Sequence, residues 1–253
     1  MLMKFLLALA TTLLLAATSP AADQETRCFE MRIYTAAPGK LDDLLARFRD
    51  HTVKLFEKHG IDNIGYWVPV DNKENKLYYV LAYPSRAARE KSWHEFSADP
   101  DWKATQAASE ASGRLVVKAD SIFLAPTDYS PLVKPLAGPR TRLYELREYQ
   151  ASPGKLDALH ARFRDHTLGL FAKHGMTNFG YWTPTDPAHG LGEKLIYLVA
   201  HKNQAASDAS WAAFRADPDW VKAKADSEVN GSLTTEGGVK STFLTPTDFS
   251  ASK

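Results

Sequence analysis

The sequence predicts an α+β protein in which two tandem ferredoxin-like units, each βαββαβ, pack sheet to sheet as a pseudo-symmetric barrel. Three observations predict it: a stretch written nearly twice, hydrophobic periods that alternate between strand and helix values, and insertions that fall only between elements. ARFRDHTVKLFEKHG at 46–60 recurs as ARFRDHTLGLFAKHG at 161–175. Over 38–67 and 153–182, 22 of 30 positions are identical. The offset between copies is 115 there, becomes 118 where a longer turn at 186–194 replaces 71–76, and reaches 120 at Phe123 and Phe243. A duplicated folded unit tolerates length changes in its connections and not inside its elements.

Each element follows from local chemistry. Phe29, Met31 and Ile33 alternate with Glu30, Arg32 and Tyr34, the period of a strand, and Pro38-Gly39 ends it. Leu41, Leu44, Leu45, Phe48, Thr52, Leu55 and Phe56 then recur at three- and four-residue steps, a helix stopped by Gly60. Two short strands, 63–68 and 77–83, flank the polar turn at 71–75. A second helix begins near Ser85, breaks at Asp99-Pro100 and resumes to about Ala111, with Asp99 as cap and Pro100 in the first turn. Residues 115–124 close the unit as a strand. A four-stranded sheet under two helices leaves one face uncovered, and the second copy is the partner at hand to bury it.

The units read as 23–127 and 141–253, joined by a connector at 128–140 that contains Pro131, Pro135, Gly138 and Pro139. Residues 1–22 read as a Sec-type signal peptide: Lys4, an apolar run from Phe5 to Ala17, then small residues before Asp23. That run is shorter than the roughly 20 residues a membrane span needs, and no later segment approaches that length. The expected location is therefore secreted or periplasmic. Without the leader the chain carries 30 basic and 30 acidic residues, which offers nucleic acid no excess of cations. The lone Cys28 cannot form an internal disulfide and reads as a strand residue.

The first strand and its turn, Phe29-Glu30-Met31-Arg32-Ile33-Tyr34 followed by Pro38-Gly39-Lys40-Leu41, resemble the opening of the NIPSNAP family. Tyr144-Glu145-Leu146-Arg147-Glu148-Tyr149 with Pro153-Gly154-Lys155-Leu156 repeats the resemblance. So do Gly65-Tyr66-Trp67, Trp93 with Phe96, and Asp99-Pro100-Asp101-Trp102, each of which recurs in the second copy. The resemblance spans about 28–125 and 142–245 and implies a dimeric α/β barrel of the kind shared with small monooxygenases, built here as a pseudo-dimer from one chain. It implies no particular reaction.

Strand alternation puts Glu30, Arg32 and Tyr34 on one face, and Glu145, Arg147 and Tyr149 repeat the set. Facing the space between sheets, they would present two carboxylates, two guanidinium groups and two phenols to one ligand cavity. The other reading is that each Glu and Arg pair to neutralise a partly buried seam. His51 and His166 follow Phe48 and Phe163 by three residues and so border the apolar helix face, where a histidine is either a general acid or base or a packed helix residue. His59 and His174 precede Gly60 and Gly175 and suit helix C-termini. His51 and His59 lie about 12 Å apart along a helix, too far to share an ion, so no metal site is read. No cofactor is read either: G-x-S-x-G, G-x-G-x-x-G, P-loop and H-E-x-x-H patterns are absent. Asn230-Gly231-Ser232 is a glycosylation sequon in a eukaryotic secretory route. The tryptophans recur at matching places and read as core.

The sequence thus describes an exported NIPSNAP-like protein acting as a small-molecule-binding or protein-interaction module. The alternative is a cofactor-independent or haem-using oxidoreductase of the monooxygenase-like barrel type.

Overall fold

The computed structural model describes residues 25–138 and 142–253. The leader read at 1–22 lies outside the described residues. Strand β1 (Cys28–Ala36) leads to α1 (Leu41–Arg47), a π-helical turn (Phe48–Thr52) and α2 (Val53–Lys58). β2 (Asp62–Pro69), β3 (Lys76–Tyr83), α3 (Arg86–Ala98), α4 (Pro100–Ser109) and β4 (Val116–Pro126) complete the first copy. The second copy repeats the order as β5 (Leu143–Ala151), α5 (Leu156–Arg162), α6 (Leu168–Lys173), β6 (Thr177–Pro184), β7 (Lys194–His201), α7 (Gln204–Ala216), α8 (Pro218–Ser227) and β8 (Thr234–Pro246), with a matching π turn at Phe163–Thr167.

The eight strands close into one antiparallel barrel in the order β1-β3-β2-β8-β5-β7-β6-β4. The halves do not merely lie face on face. Their edges hydrogen-bond to each other, β2 to β8 through Trp67, Val68 and Pro69 and β4 to β6 through Leu124, Ala125 and Pro126. Closure removes the edge strands that an open sheet would expose.

Alternation decides what the barrel holds. Phe29, Met31, Val80, Ala82, Leu124, Tyr144, Leu146, Ile196, Leu198 and Leu244 point inward and are buried together with Trp67, Phe179 and Trp182. The connector residue Val133 joins the same cluster. Trp67 and Trp182 each fold back over a glycine two residues earlier: a Cβ on Gly65 would stand 2.3 Å from the Trp67 ring, and one on Gly180 would stand 2.4 Å from the Trp182 ring. Both glycines also follow a bulge, which bends the strand and lets the indole turn in.

Outside the barrel the helices build two further cores, one per copy, around Phe48, Phe56, Tyr66, Tyr79 and Phe96 and around Phe163, Phe171, Tyr181, Tyr197 and Phe214. The helix starts are capped as expected. Asp99 accepts from the Asp101 amide at 2.8 Å, and its other oxygen lies 2.7 Å from His59 Nε2 and 2.8 Å from Lys58 Nζ. Asp217, His174 and Lys173 repeat the arrangement. Lys58 and His59 hold the Asp99 carboxyl well below its ordinary range. Asp99→Ala removes a cap and ties between two helices, and is expected to cost about 1–2 kcal/mol in chemical denaturation.

A segment after each last strand crosses to the other copy. Thr127 and Ser130 bind the backbone of Tyr181, while Thr247 and Ser250 bind the backbone of Tyr66. Arg164 pairs with Asp128 and Arg49 with Asp248 beside them. The start of the connector is thus a fixed clasp. The recurrence of Pro-Thr-Asp-aromatic-Ser at 126–130 and 246–250 is the sequence signal for it.

Candidate functional site

Glu30, Arg32 and Tyr34 lie on the outer face of β1, beneath the helices, because Phe29 and Met31 take the inner face. The second set does the same on β5. The two sets therefore do not share a chamber between the sheets. Each copy has its own cluster, and the interior that would have joined them is filled with aromatic side chains.

In the first copy Glu30 is fully buried and accepts from five groups. Arg89 Nε and Nη2 reach its two oxygens at 2.9 Å each, Ser121 Oγ donates at 2.6 Å, Tyr83 Oη donates at 3.1 Å, and Arg32 Nη1 completes the set. Burial alone would raise the Glu30 pKa, but the Arg89 hydrogen bonds and the Arg32 charge hold it at about 2. Arg32 also donates to Tyr79 Oη at 2.9 Å and Tyr34 Oη at 3.2 Å, and its guanidinium lies 4.4 Å from the Trp93 ring centre. Trp93 Nε1 donates to Tyr83 Oη at 2.7 Å.

The second copy keeps the frame and changes the partners. Glu145 accepts from Arg147 Nη1 at 2.8 Å, Ser241 Oγ at 2.6 Å and Trp211 Nε1 at 2.7 Å, and pairs with His201 Nε2 at 3.2 Å. Burial again pushes the carboxyl up, and His201, Ser241 and Arg147 bring it down to about 2. Arg147 donates to Tyr149 Oη at 3.1 Å and stacks 4.7 Å from the Trp211 ring centre. The Arg147 Nε atom is buried without a partner.

The ion pairs are made in both copies. In the second copy Glu145, Arg147 and Tyr149 also line a cleft of about 840 Å³ between the sheet and α7 and α8, walled by Trp211, Phe214, Trp220 and Phe243. A smaller cavity of about 200 Å³, lined by Tyr149, Arg162, Phe163 and Trp220, lies beside it. The first copy has its counterpart, also about 200 Å³, at Tyr34, Arg47, Phe48 and Trp102.

Arg47 and Arg162, which end α1 and α5 three residues after the buried Leu44 and Leu159, point inward, 6% exposed, where they pair with Glu110 and Glu228 and stack on Trp102 and Trp220. The extra residue of the π turn that follows rotates His51 and His166 outward. Both are exposed and neither belongs to the buried clusters, in contrast to the apolar border that an unbroken helix would give them. No group of three or more His, Cys, Asp or Glu among the described residues could hold a metal ion. Cys28 is a half-buried β1 residue whose thiol burial pushes upward in pKa.

The clusters also contain Arg89, Tyr83, His201, Ser121, Ser241, Tyr79 and Tyr197, none of which the sequence marks as a site residue. Four of them had a signal, since Ser121 and Ser241 recur at the 120 offset and Tyr79 and Tyr197 at 118. Arg89 and Tyr83 are replaced by Ser207 and His201 at the same offset, so the repeat itself hides them.

The barrel is similar in fold to solved proteins of low sequence identity. A candidate monooxygenase from Fusobacterium nucleatum shares 10% identity, with 87% of this chain and 92% of that chain covered at a TM-score of 0.59. One from Lactobacillus acidophilus shares 14%, with 88% and 94% covered at 0.54. A NIPSNAP family protein from Agrobacterium tumefaciens shares 24%, with 42% of this chain and 98% of that chain covered at 0.38. None of the curated proteins compared with the chain matches it. The NIPSNAP family model matches residues 29–131 and again 144–251, most of the sequence in two tandem regions, and the chain therefore belongs to the NIPSNAP family.

Proposed function

We propose that this NIPSNAP protein is an exported small-molecule-binding module, built from two ferredoxin-like units at 23–127 and 141–253, whose ligand site is the sheet–helix cleft of the second unit. One observation carries the reading: Glu145, Arg147 and Tyr149 line a cleft of about 840 Å³ with aromatic walls, within the size range of ligand sites. The floor supplies fixed polar groups and the walls supply apolar area, the combination by which such sites orient a ligand. Export rests on the leader pattern at 1–22, and recovery of a chain beginning near Asp23 outside the cytoplasm tests it.

The oxidoreductase alternative draws on the barrel fold alone, which hosts many unrelated activities. A ligand-observed NMR screen against a small-molecule library separates the readings. Ala225 is exposed on the cleft wall, so Ala225→Trp blocks the cleft without touching a core. Hits are expected to bind the parent protein and to lose at least tenfold in affinity with Ala225→Trp. Hits that bind both forms equally would remove the cleft from consideration, and oxygen consumption that stops on Arg147→Lys would favour the oxidoreductase.

A further inference from the structure

The first copy shows what the second copy's cleft is shaped to hold. In the first copy two arginines of α3 occupy the region above β4. Arg86 lies 3.3 Å and Arg89 5.0 Å from the Phe123 ring centre, and Arg89 lies 5.1 Å from that of Trp93. Glu30 grips Arg89 through both oxygens at 2.9 Å, while Glu90 takes Arg86 at 2.9 Å and Arg89 at 3.2 Å. This is a complete receptor for a planar cation: two carboxylates, an aromatic face on one side and an indole beside it.

The second copy retains every wall of that receptor. Glu145, Asp208, Trp211, Ser241 and Phe243 stand where Glu30, Glu90, Trp93, Ser121 and Phe123 stand in the first, and all five line the open cleft. The occupants are gone. Gln204 replaces Arg86 and Ser207 replaces Arg89. No guanidinium lies over Phe243 among the described residues, and Ser207 Oγ is buried without a partner. Ser241 is exposed whereas Ser121 is half-buried. Asp208 takes one hydrogen bond, from Gln204 at 2.9 Å, and no ion pair among the described residues.

We infer that the second copy's cleft binds a small organic cation bearing a guanidinium or amidinium group, held as Arg86 is held in the first copy, over the phenylalanine ring and beside the α-helical carboxylate. The inference rests on the cleft being a ligand site. Glu145 already accepts from its own partners, so the ligand's charge pairs first with Asp208 while its plane stacks on Phe243 and Trp211. Arg147, which also lines the cleft and lies 4.7 Å from the Trp211 ring centre, stays locked to Glu145 and Tyr149. The exposed Arg215 and Lys224 at the outer rim disfavour a second positive charge at that end of the ligand.

Benzamidine and benzoate have the same shape and opposite charge, which makes them suitable probes for NMR titration. Benzamidine is expected to bind at one site per chain, at least tenfold tighter than benzoate. Gln204→Arg with Ser207→Arg restores the first copy's own occupants and is expected to weaken benzamidine at least tenfold while circular dichroism is unchanged. Arg86→Gln with Arg89→Ser is expected to raise the stoichiometry to two. Should that variant fail to fold, the second-copy variant decides alone. Tighter binding of benzoate, no binding of benzamidine, or benzamidine binding that ignores the restored arginines would overturn the inference. The cleft itself would survive any of these if library hits still lose affinity with Ala225→Trp.

Discussion

Glu30→Ala is expected to lower folding stability by about 3–5 kcal/mol, among the largest effects available to a single substitution in this chain. The carboxylate is fully buried and is the shared counter-ion of Arg32 and Arg89, whose side chains are only 12% and 15% exposed. Its removal leaves Arg32 in a low-dielectric seam without a carboxylate and Arg89 with only the exposed Glu90, and it strands the Tyr83 and Ser121 hydroxyls as well. Breaking one side of a buried pair costs far more than the pair contributes in net terms, because the remaining charge stays desolvated. Urea denaturation of both proteins measures the difference. A loss under 1 kcal/mol would mean that water reaches the two arginines.

The same carboxylates set the acid limit. Glu30 and Glu145 fall from an ordinary 4.5 to about 2 in the folded protein. A depressed folded pKa stabilises where the group is ionised, so this contribution is fully present above about pH 4.5 and is lost as pH falls toward 2. Each shift corresponds to about 3 kcal/mol at full ionisation. Asp99 and Asp217 are depressed as well and act in the same direction. Glu30→Gln should accordingly flatten the stability profile over that interval, leaving the Glu145 share.

Trp182→Ala is expected to cost about 3–5 kcal/mol by opening a cavity inside the barrel. The indole is fully buried, packs 5.6 Å from the Phe29 ring of the other copy and lies on the strand paired with Pro126 at one of the two seams. The substitution removes apolar contact between the halves at the place where their edges join. Val239, exposed on β8, serves as the control, with Val239→Ala expected within about 0.5 kcal/mol of the parent. Equal effects of the two substitutions would mean that the interior is loosely filled.

Most of the fold was legible because duplication supplied each element twice. The alternation of Phe29 and Met31 with Glu30 and Arg32, the cap at Asp99-Pro100 and the stop at Gly60 all occur where local chemistry puts them. The closing edges were not legible, since a three-residue pairing such as that of Val68 with Thr245 carries no local signal. The π turns were hidden for a related reason: the four-residue spacing of Leu44, Phe48, Thr52 and Phe56 fits an α-helix as well as one with an inserted residue. That single residue turns His51 to the outside.

The candidate residues on β1 and β5 were legible from period-two alternation, but their side of the sheet was not. Either face of a strand bearing Glu, Arg and Tyr can be buried, and which one meets the partner copy depends on where the helices pack. The divergence of the copies was written plainly in Arg89 against Ser207. Its meaning needed the geometry of Glu30 and Phe123, since the repeat alone marks those positions only as places where identity fails.

The most direct test of the account is the position of a bound small molecule in crystals soaked with library hits. Density is expected between β5 and helices α7 and α8, against Trp211 and Phe243 and within reach of Asp208. A ligand seated inside the barrel among Trp67, Tyr144 and Trp182, or beneath Arg89 in the first copy, would contradict it.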